Sequence, residues 1–130
     1  MDKKNPPKGF KWAKGKAEKV IADRSKFSDL IKSAKTKAGD KKEDLKNVWS
    51  DFQTFLRLLK AYKNKRYKDV PWRTILYATA AVIYFVSPID VVPDFIPIAG
   101  LIDDISVITF VAKALKSDLI KFKDWEEDEK

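Results

Sequence analysis

The chain contains no cysteine and no histidine among its 130 residues. Their absence excludes disulfide scaffolding, thiolate zinc sites and every reaction that needs an imidazole proton carrier. It also fits a protein kept in a reducing compartment. Only four glycines occur, and none lies in a loop patterned to cradle a phosphate. Arginine is scarce: Arg24, Arg57, Arg66 and Arg73 stand against 23 lysines. No alternating apolar pattern marks a strand. The opening residues Met1-Asp-Lys-Lys-Asn-Pro-Pro are polar, so no secretory signal is expected in them.

Charge is plentiful and unevenly placed. Residues 1–73 hold 22 Lys or Arg against 9 Asp or Glu, whereas residues 74–130 hold 5 against 10. A basic segment of this kind faces lipid headgroups or nucleic acid, or serves only as a solvated surface. Bidentate recognition of bases and phosphates favours arginine. The lysine bias therefore makes nucleic acid the weaker expectation.

Four helices are predicted. After a flexible lead over residues 1–12, with Pro6, Pro7 and Gly9, the first spans 13–37. Its apolar residues Ala17, Val20, Phe27, Ile31 and Ala34 recur at helical spacing, with Arg24 on the same face. The opposite side carries Lys16, Lys19, Lys26 and Lys32, the candidate contacts for an anionic surface. Gly39 and Asp40 are expected to stop it. The second helix, 41–64, has a stripe of Leu45, Val48, Phe52, Phe55, Leu59 and Tyr62, and its end carries cations suited to the helix dipole.

The third helix, 72–86, differs in kind. Pro71 suits its start and Pro88 its end. From Thr74 to Ile89 there are 16 residues without a charge, so this helix is apolar on every side and is either enclosed by protein or exposed to lipid. As helix that stretch is ~24 Å long, from ~1.5 Å per residue. A bilayer core needs ~30 Å. The fourth helix runs from 102 or 103 to 123, with Leu101, Ile105, Ile108, Ala112, Leu115, Leu119 and Phe122 as its stripe. An acidic tail, 124–130, follows. The predicted organisation is thus a lead (1–12), a basic amphipathic helix (13–40), a helical domain (41–123) and that tail.

The last two helices form an apolar hairpin joined by a proline-rich acidic loop. Asp90, Asp94, Asp103 and Asp104 lie in or beside it, and carboxylates in apolar surroundings need partners. Capping and turn roles account for them: Asp103 or Asp104 at a helix start, Asp90 and Asp94 in turns after Pro88 and Pro93. The alternative is a magnesium or calcium site built from the same four residues, although the calcium-loop spacing is absent. Ser87 has no base beside it, and no substrate cleft is legible, so no catalytic residue and no cofactor are expected.

Segment 84–104 reads Tyr-Phe-Val-Ser-Pro-Ile-Asp-Val-Val-Pro-Asp-Phe-Ile-Pro-Ile-Ala-Gly-Leu-Ile-Asp-Asp. It resembles the YkvA-like family, a bacterial domain of unknown function. The family's run is approximately Tyr-x-x-Ser-Pro-Ile-Asp-x-Ile-Pro-Asp-x-Ile-Pro-x-x-Gly-x-x-Asp-Asp, with Val92 here where isoleucine is common. The matching positions are Ser87, Pro88, Asp90, Pro93, Asp94, Pro97, Gly100, Asp103 and Asp104, and the resemblance covers roughly residues 55–119. It implies a membrane-associated helical hairpin domain and no established activity.

Together these readings give an all-α, non-enzymatic, membrane-associated or protein-interaction module. It is expected on the cytoplasmic side of the inner membrane, peripheral or integral. Its expected partners are an anionic membrane surface, a membrane protein or a second copy of itself. The rival is a soluble bundle that binds a metal or small ligand through the acidic loop.

Overall fold

A computed structural model describes residues 10–86 and 104–129, all of whose regular structure is helical. Among the described residues there are six helices where about four were predicted: α1 (Phe10–Ala22), α2 (Arg24–Asp40), α3 (Trp49–Lys63), α4 (Trp72–Val86), α5 (Asp104–Ala114) and α6 (Lys116–Glu129).

The first predicted helix is two. Asp23 leaves helical geometry (φ −113°, ψ 104°), and its carboxylate accepts from the Lys26 amide at 3.1 Å. An aspartate at an N-cap satisfies an orphan amide and so competes with continuous helix. The break lets α1 lie mainly on α4 while α2 packs on both α3 and α4. The helix also starts at Phe10, inside the segment read as a lead, because Phe10 is fully buried. Its ring meets Tyr77 and Phe110 edge-on at 5.2 and 5.4 Å.

Gly39 and Asp40 do not stop α2, which runs through Asp40 and ends with the Lys41 amide donating to Lys37 and Ala38 carbonyls. The predicted second helix in turn starts late. Residues 41–48 form hydrogen-bonded turns anchored by buried Leu45 and Val48, and regular helix begins only at Trp49.

Helix α3 closes in a Schellman arrangement: the Arg66 amide donates to Ala61 O at 2.9 Å and the Lys65 amide to Tyr62 O at 3.0 Å. That geometry needs a left-handed residue, and Lys65 supplies it at φ 63°. A side chain there costs roughly 1–2 kcal/mol. Lys65→Gly should therefore raise unfolding stability by about 1 kcal/mol in urea titrations. A decrease would mean that the lysine side chain stabilises the turn.

Helix α4 keeps its predicted bounds. Pro71 sits just before it, its carbonyl accepting from Thr74 and Ile75 amides at 3.0 and 3.4 Å. Every residue from Ala78 to Phe85 is buried. The all-round apolar helix is thus enclosed by protein, with α1, α2, α3 and α5 packed around it.

The last predicted helix is likewise divided, at Leu115, a buried residue whose own hydrogen bonds continue into both halves. In α5 the inward face is Val107, Ile108 and Val111, so Ile105, read as part of the stripe, is instead 42% exposed. Residues read as an acidic tail continue α6 through Glu129. Trp125 stacks on Phe122 (5.7 Å) and meets Tyr67 (4.9 Å), while Glu126 takes Arg57 in a two-point pair at 2.7 and 3.2 Å. Burial pushes the Tyr67 phenol above its usual pKa, with Lys121 acting in the opposite direction.

Candidate functional site

Of the motif positions, Ser87, Pro88, Asp90, Pro93, Asp94, Pro97, Gly100 and Asp103 lie outside the described residues. Asp104 opens α5, but its side chain lies outside them as well. Among the described residues, no group of three or more acidic side chains could hold a metal ion.

What the structure does place is the frame of that segment. The end of α4 has no cation in its own last turn, where helix carbonyls lack intrahelical partners. Lys37 of α2 supplies what is missing. Its Nζ donates to Phe85 O at 2.9 Å and Val86 O at 3.3 Å, and lies 5.3 Å from the centre of the Phe85 ring. A lysine there satisfies orphan carbonyls and opposes the negative end of the helix dipole. Lys37→Met keeps the apolar stem and removes both bonds. We expect a loss of about 1 kcal/mol, since the site is only partly buried. Urea unfolding with an unchanged slope would report it. Periodicity could not reveal this role, because it arises only when α2 meets α4.

The four candidate surface lysines do project outward. Lys16 and Lys19 lie on α1, opposite a buried line of Phe10, Ala13 and Ala17. Lys26 and Lys32 lie on α2, opposite Phe27, Ile31, Ala34 and Ala38. All four are exposed, and none forms an ion pair among the described residues. They belong to two helices, so the bend at Asp23 sets how much of one plane they share.

A second cationic feature escaped the sequence. Between the α1–α2 junction and the end of α3 lies an open cavity of about 540 Å³ lined by Arg24, Lys63, Lys65 and Lys68, with Phe27 and Tyr62 among its apolar walls. The run Lys63-Asn-Lys-Arg-Tyr-Lys was legible as cations at a helix end. Nothing in the spacing joined it to Arg24. A wider groove of about 960 Å³ lies between α4 and α5, where Arg73 sits 4.8 Å from the Tyr77 ring and Ile105 is exposed. No helix among the described residues is long and apolar enough to cross a membrane.

The sequence is similar to known proteins in the region this frame surrounds. A family described as a protein of unknown function, DUF1232, matches residues 74–110, which take in most of α4, the motif segment and the first half of α5. The chain is 30% identical over 102 residues to an uncharacterized membrane protein, YkvA, of Bacillus subtilis (strain 168), covering 78% of this chain and 96% of that one. No solved structure matches. The likeness is longer than the hairpin and its motif, and it takes in nearly all of the relative; the chain belongs to the YkvA-like family.

Proposed function

We propose that this protein is a non-enzymatic module that docks on an anionic membrane surface through its basic helical face and keeps its apolar hairpin helix inside its own core. The observation that carries this reading is the division of labour between α4 and the two helices before it. The most apolar helix is covered by protein from Ala78 to Phe85, whereas Lys16, Lys19, Lys26 and Lys32 stand exposed on α1 and α2 with no ion pair among the described residues. Exposed lysines beside anionic lipid contribute ~1 kcal/mol each. The YkvA relative is named a membrane protein, which agrees with a membrane location.

Vesicle sedimentation tests it. The full chain should pellet with phosphatidylcholine vesicles containing phosphatidylglycerol at about 0.1 M salt, where screening acts over ~10 Å. It should be released near 1 M salt, where that length shrinks to ~3 Å. Equal binding to purely zwitterionic vesicles, or none to anionic ones, would sink the proposal. Retention of the cellular protein in membranes through an alkaline carbonate wash would point to insertion instead.

A further inference from the structure

The cavity between the α1–α2 junction and the end of α3 is more than another part of the basic surface. Four cations line it, from two separate parts of the chain: Arg24 at the start of α2, and Lys63, Lys65 and Lys68 around the α3 terminus. No carboxylate lines it. The two nearest in sequence are engaged elsewhere, Asp23 accepting from the Lys26 amide and Asp69 facing Lys121 at 3.3 Å. None of the four cations has an ion-pair partner among the described residues. Lys65 and Lys68 also border a neighbouring groove that holds Asp69, Asp124 and Asp128. On the side facing this cavity the like charges repel one another, and a bound anion relieves that repulsion.

The walls narrow the choice of anion. Buried Phe27 and half-buried Tyr62 give this open groove apolar walls beside its cations. A free inorganic ion would use the cations and leave the apolar walls wet. A phosphate joined to glycerol and acyl chains would use both. The backbone offers an independent sign. Lys65 holds a left-handed conformation at φ 63°, where glycine fits without strain, and it lines this cavity. Strain kept in place at a concave cationic site marks a position where the side chain matters more than the turn.

We propose that this cavity is a binding site for the phosphate headgroup of an anionic phospholipid, with a monoester phosphate preferred because its second charge is matched by the cluster. The assignment rests on the surface-docking reading and adds headgroup selectivity to it. Arg24 supplies paired donors to phosphate oxygens, the three lysines supply charge, and the walls hold the root of the lipid.

The experiment compares vesicles of phosphatidylcholine with phosphatidic acid against phosphatidylcholine with phosphatidylglycerol, matched in zeta potential, using the full chain. The wild type should bind the phosphatidic acid vesicles about five- to tenfold more tightly, the equivalent of ~1–1.4 kcal/mol. Lys63→Gln/Lys65→Gln/Lys68→Gln should lose that preference. A charge-matched control, Lys35→Gln/Lys41→Gln/Lys46→Gln, should keep it. Lys65→Gly separates the two roles: melting temperature should rise as the turn is relieved, while the lipid preference, which a structural role alone would not move, should fall.

Equal binding of the wild type to both vesicles, or a preference that survives in the cavity variant, overturns the proposal and leaves surface docking standing. No binding to either vesicle removes the surface-docking reading itself. Calorimetric binding of inorganic phosphate without discrimination between vesicles assigns the cavity to a soluble phosphate and also overturns the lipid assignment. So does cavity-dependent binding of a short single-stranded RNA in place of vesicle selectivity.

Discussion

Phe10→Ala is expected to destabilise the protein by ~3–5 kcal/mol, the range for removing a fully buried aromatic ring from a core. The ring is completely enclosed and touches the two elements that make the hairpin, through Tyr77 of α4 and Phe110 of α5. Removing it opens a void that three helices share, and close-packed interiors fill such voids poorly. A domain of this size commonly has only ~5–15 kcal/mol in total. The variant should therefore unfold at markedly lower urea or temperature, with near-UV aromatic signals weakened before that. Trp12→Ala is the comparison, because Trp12 is only half-buried and its loss should cost less. A change below ~1 kcal/mol for Phe10→Ala would mean that α1 is not docked on the hairpin in solution.

The second large effect concerns binding. Reversing Lys16, Lys19, Lys26 and Lys32 to glutamate replaces attraction with repulsion at four exposed points. With ~1 kcal/mol for each lysine near an anionic leaflet, full engagement would remove more than ~4 kcal/mol. The bend at Asp23 keeps all four from meeting one plane equally. A loss of ~2–3 kcal/mol, or ~30- to 150-fold in affinity for phosphatidylglycerol vesicles, is the expected result. Folding should hardly change, since none of these side chains is buried or ion-paired among the described residues and surface substitutions lie within about ±0.5 kcal/mol. Unchanged vesicle affinity at matched salt, in a variant that still melts cooperatively, would count decisively against docking through these helices.

Helix α4 was fully legible in the sequence because prolines stand near both ends and its residues carry no charge from Thr74 onward. The inward faces of α2 and α3 were legible too, since Phe27, Ile31 and Ala34, and Phe52, Phe55 and Leu59, recur at helical spacing and are buried. Helix number was not. Apolar periodicity runs through Asp23 and through Leu115 without interruption, and only tertiary packing makes the chain change direction there. Of these two breaks, Asp23 carried a usable sign, an N-cap residue type in mid-helix. The extension of α6 depends on Tyr67 and Arg57, which no local pattern links to Trp125 and Glu126. Of the candidate sites, the outward lysines followed from periodicity. The Arg24 cavity and the Lys37 cap required distant segments to meet. The acidic positions before Asp104 lie outside the described residues.

The order of the helices also bears on how the protein is made. Chains grow from the N-terminus at ~5–20 residues per second, and early segments begin to collapse while later ones are still being added. Three of the four helices that enclose α4 precede it in the chain. When this most apolar stretch leaves the ribosome, all of the surfaces that will cover it except α5 have already been synthesised, and Lys37 is already waiting for the carbonyls of Phe85 and Val86. The nascent chain is thus arranged to shelter its stickiest helix at birth, which shortens the interval in which chaperones or the membrane insertion machinery could seize it.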